Sequence, residues 1–154
     1  FQVESILNDV SALCGEKAKA GGIDIQFFAE NNLTVFGNTV QISQVILNLI
    51  NNSIDATSSL ENRWIKVEVK YLARSNQIRF SVTDSGNGID KQQIGKLMQP
   101  FFTTKGVGKG TGLGLSVSKG LIENHGGVLT YDESSKNTRF YFDIKASDVA
   151  AVTA

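Results

Sequence analysis

The sequence predicts an α+β fold, and three observations carry the prediction. Residues 2–20 and 39–57 each place apolar side chains at helical spacing, so each is a helix with one face to bury. Residues 64–83 alternate apolar and polar side chains about a short turn, and 128–131 with 139–144 read as a second, closing hairpin. The chain has 154 residues, of which 41% are hydrophobic, enough for one core and one domain.

In the first helix Val3, Ile6, Leu7, Val10, Leu13 and Cys14 recur on one face, and Gly21-Gly22 ends it. Ile23, Ile25 and Phe27 alternate with polar residues and predict a strand. A second short strand is expected over 34–36, before Gly37-Asn38 breaks the chain. The clearest helix is 39–57, with Ile42, Val45, Ile46, Leu49, Ile50 and Ile54 as its apolar stripe. Its opposite stripe is Gln41, Gln44, Asn48, Asn51, Asn52 and Asp55, rich in asparagine and poor in charge. A solvated helix face normally carries Lys, Glu and Arg, and asparagine is a mediocre helix former. This face therefore points to binding, with a neutral surface face as the plain alternative.

Ile65, Val67, Val69 and Tyr71 alternate with Lys66, Glu68 and Lys70; residues 74–77 turn, and Ile78, Phe80 and Val82 return. That strand ends at Asp84-Ser85-Gly86-Asn87-Gly88-Ile89. Residues 91–98 read as a short helix. Residues 99–109 lack periodicity and hold the sole proline, Pro100, followed by Phe101-Phe102-Thr103-Thr104-Lys105. A long structureless loop inside a compact domain is usually a lid or a binding loop. Five glycines then fall within Gly106–Leu115, which feeds a helix on which Leu113, Val117, Gly120 and Leu121 share an apolar or small face. Glycines let backbone approach a phosphate closely, and a helix N-terminus points N–H groups and a positive dipole end at it. The pattern is neither the P-loop nor the dinucleotide fingerprint, and by itself it also fits a plain flexible connection. Asn124-His125-Gly126-Gly127 ends this helix, and residues 145–154 read as a frayed tail.

Composition excludes several classes. Lys+Arg and Asp+Glu both total 15, so a general nucleic-acid or anionic-membrane binder is not indicated. One cysteine, Cys14, permits neither an internal disulfide nor a zinc cluster. No apolar run approaches membrane-spanning length and no signal peptide is seen.

Four stretches stand in a fixed order: a helix with Asn48 and Asn52 one turn apart, Asp84-x-Gly86-x-Gly88 at a strand end, Pro100-Phe101-Phe102, and the glycine-rich loop. Together they resemble the N, G1, F and G2 boxes of the ATP-binding domain of sensor histidine kinases, within the superfamily of gyrase, Hsp90 and MutL ATPases. The resemblance spans residues of about 20–145. It implies a Bergerat-type two-layer α/β sandwich, with one mixed, mainly antiparallel sheet and helices on one face. It also implies a role for each box. Asp84 accepts from the adenine amino group, since an ionised carboxylate only accepts, Gly86 and Gly88 let the backbone pass close to the base, and Ile89 is counted with them as ATP-binding. Asn52 ligates Mg²⁺, whose octahedron phosphates and waters complete. Asn48 stands where the hydrolysing relatives carry a glutamate base, so its amide favours transfer over hydrolysis. Thr104, Gly110, Thr111, Gly112, Leu113, Gly114 and Leu115 belong to the ATP site around the phosphates, beside which either Lys105 or Lys109 pairs with them or both are solvated, and Thr138 assists at the adenine. Phe101 and Phe102 anchor the lid root in apolar packing. His125 is rejected as the phosphoacceptor: at a helix C-terminus before two glycines, it has a structural account in which the dipole favours its cation.

By the same resemblance, residues 1–20 end a helix leading from a missing dimerisation and phosphoacceptor domain, 21–145 form the catalytic domain, and 146–154 a tail. The cofactors implied are ATP and Mg²⁺. The partners are the histidine phosphotransfer domain of the same protein, within a homodimeric parent, and a response regulator receiver domain. Nucleic acid and direct membrane contact are not expected, and the location is cytoplasmic, whether or not the parent is anchored. Two other readings stay open: a hydrolysing ATPase domain and a nucleotide-binding module without chemistry.

Overall fold

A computed structural model describes residues 1–102 and 113–147. The elements run α1 (Val3–Ala20), β1 (Asp24–Ala29), α2 (Thr39–Ala56), β2 (Trp64–Leu72), β3 (Gln77–Asp84), α3 (Lys91–Ile94), α4 (Gly114–Asn124), β4 (Leu129–Tyr131) and β5 (Arg139–Lys145). The five strands form one sheet in the order β1-β2-β3-β5-β4. Only β1 and β2 pair in parallel, because α2 lies between them in the chain; the other pairs are antiparallel.

Strand alternation decides which face is covered. Ile65, Val67 and Val69 of β2, Ile78, Phe80 and Val82 of β3, and Phe140, Phe142 and Ile144 of β5 are all buried beneath the helices. Phe80 and Phe142 are cross-strand partners whose rings stack with centroids 5.1 Å apart. The other face is charged. Arg79 opposes Asp143 in register and binds it bidentately at 2.8 and 2.9 Å, and its guanidinium lies 4.1 Å from the Tyr141 ring centroid.

In the helical layer α2 is central, packed between α1 and α4 and over β2 and β3. Ile42, Val45, Ile46, Leu49, Ile50 and Ile54 of α2 are buried, as the stripe requires. Asn38 caps it, its side-chain oxygen accepting from Gln41 N–H at 3.1 Å. α1 ends in a Schellman motif: Gly22 takes φ +69°, Gly22 N–H donates to Lys19 and Ile23 N–H to Ala18. Ile23 therefore belongs to this cap rather than to β1. Arg63 ties the two helix ends together, donating to Gly21 O at 2.5 Å and Ile54 O at 2.7 Å.

Other expectations are corrected. Residues 34–36 make no strand of the sheet; Thr34 bridges to Gln2 and Val35 to Ala146. Only Lys91–Ile94 of the 91–98 helix forms. Lys145 completes β5, and Ala146 is buried against Val35 instead of fraying. On α4, Val117 is 44% exposed, while Ser118 and Ile122 are buried. The small-residue face read from the sequence was rotated, because α4 turns a serine toward α2.

Candidate functional site

Period-2 alternation puts Asp84 on the same face as Ile78, Phe80 and Val82, so the last residue of β3 delivers a carboxylate to the buried side. It is 2% exposed. Gly86 N–H donates to Oδ1 at 2.8 Å, and the hydroxyl side chains of Ser53 and Thr138 lie near enough to the carboxylate to favour its charged form. Burial pushes its pKa above the ordinary carboxylate range, and Gly86 N–H with the two neighbouring hydroxyls only partly offsets that. No cation within the described residues is among the causes. Ser53 comes from α2, directly after Asn52, so this cage joins the helix to the strand end. With Gly86 N–H donating to Oδ1, the carboxylate still has acceptor capacity for a ligand donor.

The loop that follows hangs from the end of the sheet. Thr138 N–H donates to Gly86 O at 3.2 Å, Asn137 Nδ2 to the same oxygen at 3.2 Å, and Gly88 N–H to Thr138 Oγ1 at 3.0 Å. Ile89 N–H donates to the Tyr131 hydroxyl at 2.8 Å. Gly88 has φ +94°, a region open to glycine, and a Cβ there would sit 3.0 Å from the Tyr131 oxygen.

On α2, Asn48 Nδ2 donates to Ser118 Oγ of α4 at 3.1 Å, which leaves its carbonyl oxygen as an acceptor. Asn52 lies on the same face one turn on, and Asn51 accepts from Lys17 of α1 at 3.3 Å. Among the described residues no three His, Cys, Asp or Glu side chains cluster as a metal cage. The residues present suit a hard cation that needs few protein ligands, held through a neutral amide oxygen. Across from this face α4 begins at Gly114 with Leu113 as N-cap, which offers no side-chain cap to the first turn.

The structure thus assembles Asp84, Gly86, Gly88, Ile89 and Thr138 as one unit, joins Asn48 to α4, whose first turn carries Gly114 and Leu115, and sets Asn52 one helical turn from Asn48 on α2. Thr104, Lys105, Lys109, Gly110, Thr111 and Gly112 lie outside the described residues. Ser53, Ser118, Tyr131 and Asn137 were not anticipated. One reading changes. Phe101 is 74% exposed with φ +66°, and only Phe102 packs against the core. His125 has a structural partner beyond its own helix end: its Nε2 accepts from Asn38 N–H at 3.0 Å, and Nδ1 lies 2.8 Å from Leu121 O. No helix among the described residues is long and apolar enough to cross a membrane.

Comparison with known proteins gives a consistent result. Residues 37–148 match the family model described as histidine kinase-, DNA gyrase B-, and HSP90-like ATPase. The two-component sensor PprA of Pseudomonas aeruginosa is 36% identical over 132 residues, covering 83% of this chain and 14% of that protein. The chain spans between 14% and 30% of the length of the first curated relatives it matches. The nucleotide-free catalytic domain of the histidine kinase ThkA superposes with a TM-score of 0.82 at 35% identity, covering 94% of this chain and 93% of that one. ThkA solved in complex with the response regulator protein TrrA superposes with a TM-score of 0.78 at 32% identity, covering 96% of this chain and 41% of that one.

Proposed function

Since the chain belongs to the histidine kinase-, DNA gyrase B- and HSP90-like ATPase family, we propose that it is the ATP-binding catalytic domain of a two-component sensor histidine kinase. It positions the γ-phosphate of ATP for transfer to a histidine on a separate helical dimerisation domain of the same protein. The phosphoryl group would then pass to a response regulator, the kind of protein that ThkA binds in its complex.

The observation that carries this reading is the buried Asp84 carboxylate with acceptor capacity to spare, set beside Ser53 of the helix that bears Asn48 and Asn52. Asp84 takes the adenine amino group. Ionising it within the cage costs free energy, which an amine donor partly returns. Asn52 holds Mg²⁺, which when bound would neutralise charge on the β- and γ-phosphates. The first turn of α4 offers N–H groups to the phosphates, next to the glycine-rich loop. Asn48, fixed by Ser118, cannot remove a proton from water, so the site holds ATP without a general base for hydrolysis. Transfer then depends on positioning and electrostatics, with the nucleophile brought from outside.

The test is the isolated chain with ATP and Mg²⁺. It should bind nucleotide, release phosphate very slowly, and phosphorylate the parent's helical domain when that is supplied. Asn52→Ala should weaken Mg²⁺-dependent binding and abolish transfer. Multiple-turnover phosphate release by the chain alone, lost in Asn52→Ala, would establish the hydrolysing ATPase instead.

A further inference from the structure

Donor accounting in the loop after β3 assigns a role to a residue outside the four motifs. Ser85 N–H donates to Trp64 O at 3.0 Å, Gly86 N–H to Asp84 Oδ1 at 2.8 Å, Gly88 N–H to Thr138 Oγ1 at 3.0 Å and Ile89 N–H to the Tyr131 hydroxyl at 2.8 Å. These backbone donors are turned into the protein. What the segment offers a ligand is an acceptor, the Asp84 carboxylate. Adenine presents an amino group at the edge where guanine presents a carbonyl, so a carboxylate acceptor there suits the first and repels the second.

Three of these four ties come from groups that hold the loop in any case: the sheet edge, Asp84 itself, and Thr138 in the cage. The fourth comes from a side chain of β4. The Tyr131 ring is half-buried and packs on Phe140 with centroids 5.3 Å apart, so its hydroxyl is delivered from a fixed body. Gly88 gives it room, since a Cβ there would lie 3.0 Å from the hydroxyl oxygen.

We propose that Tyr131 is a specificity-determining residue: by capping Ile89 N–H it withholds a backbone donor that a guanine carbonyl would otherwise use. The proposal rests on the adenine reading above and adds to it, because Asp84 selects for the amino group while Tyr131 selects against the carbonyl.

Tyr131→Phe removes one oxygen and keeps the ring, so the fold should stand, which thermal unfolding checks. ATP and GTP affinities are then measured by calorimetry on both proteins. ATP binding should weaken by about three- to tenfold as the loop loses one hydrogen bond. GTP binding should hold or tighten, so the ATP-over-GTP preference shrinks by at least that factor. A purely structural role for Tyr131 would weaken both nucleotides equally. An unchanged ratio, with or without loss of affinity, overturns the proposal. Amide exchange gives an independent check in the unaltered chain: Ile89 N–H should be protected, and free exchange there would also overturn it. If the unaltered chain binds neither nucleotide, the adenine reading itself falls and takes this inference with it.

Discussion

Gly86→Ala adds one methyl group at the tightest point of the carboxylate cage. Gly86 is not among the glycines with φ in the left-handed region, so the backbone tolerates alanine and the effect is steric. The new Cβ would stand 2.8 Å from Asp84 Oδ1 and 2.9 Å from Thr138 Oγ1, so each oxygen must withdraw by roughly half an ångström to reach ordinary contact. Neither withdraws freely. Asp84 Oδ1 is held at 2.8 Å by Gly86 N–H, and Thr138 Oγ1 at 3.0 Å by Gly88 N–H. Overpacking of this kind costs about 1–3 kcal/mol, and a weakened buried hydrogen bond adds to it, so unfolding free energy should fall by about 2 kcal/mol. ATP affinity should drop at least about tenfold if Asp84 holds adenine as proposed, since about 1.4 kcal/mol at its carboxylate suffices for that. Urea titration reads the first and calorimetry the second. Gly15→Ala is the control: exposed on α1 with nothing within 4 Å of the added methyl, it should stabilise by about 1 kcal/mol. If Gly86→Ala left both readings unchanged while Gly15→Ala behaved as expected, the cage would be looser than argued.

Two further outcomes follow from the same geometry. Burial holds the Asp84 carboxyl above its unfolded range, so the native state takes up a proton more readily than the unfolded chain. That contribution is fully present below the unfolded pKa and is lost as pH rises through the folded one. Asp84→Asn should therefore be at least as stable as the original chain at pH of about 7 and lose ground as pH falls toward about 4, measured by urea unfolding across that window; parallel curves for the two proteins would refute the burial argument. Incubation with labelled ATP and Mg²⁺ should leave His125 unlabelled, because both its ring nitrogens are engaged; acid-labile label there would reinstate it as an acceptor.

Much of this was readable in one dimension. Asp84 continues the alternation of Ile78, Phe80 and Val82, so its burial was implicit in the strand pattern. The stripe from Ile42 to Ile54 located α2 and set Asn48 and Asn52 on the opposite side. What escaped the sequence is contact between elements far apart in the chain. Ser53 looks like a neutral helix residue until β3 lies beneath it. Ser118 broke an apolar pattern whose true phase only its hydrogen bond to Asn48 explains. Tyr131 reads as an ordinary strand aromatic, and its hydroxyl matters only because β4 passes Ile89. His125 reads as a helix-end residue, and its tie to the distant Asn38 N–H cannot be seen in one dimension. Phe101 and Phe102 are neighbours in sequence, and a positive φ at the first sends the rings to different surroundings.

The insertion of β5 between β3 and β4 sets the order in which the molecule assembles. The β2–β3 hairpin closes over a short turn and is cheap to form early, whereas β5 must arrive from more than fifty residues on before it can pair with β3. Asp84 ends that hairpin, so in an early transition state its carboxylate still faces water. Only when β5 docks do Thr138 and the covering helix close over it. The desolvation of the charge is thus deferred to the native side of the barrier. A cost placed there accelerates unfolding and leaves the folding rate alone. The Asp84 carboxylate should be felt kinetically as a shorter native lifetime, one that nucleotide bound to the native state should lengthen again.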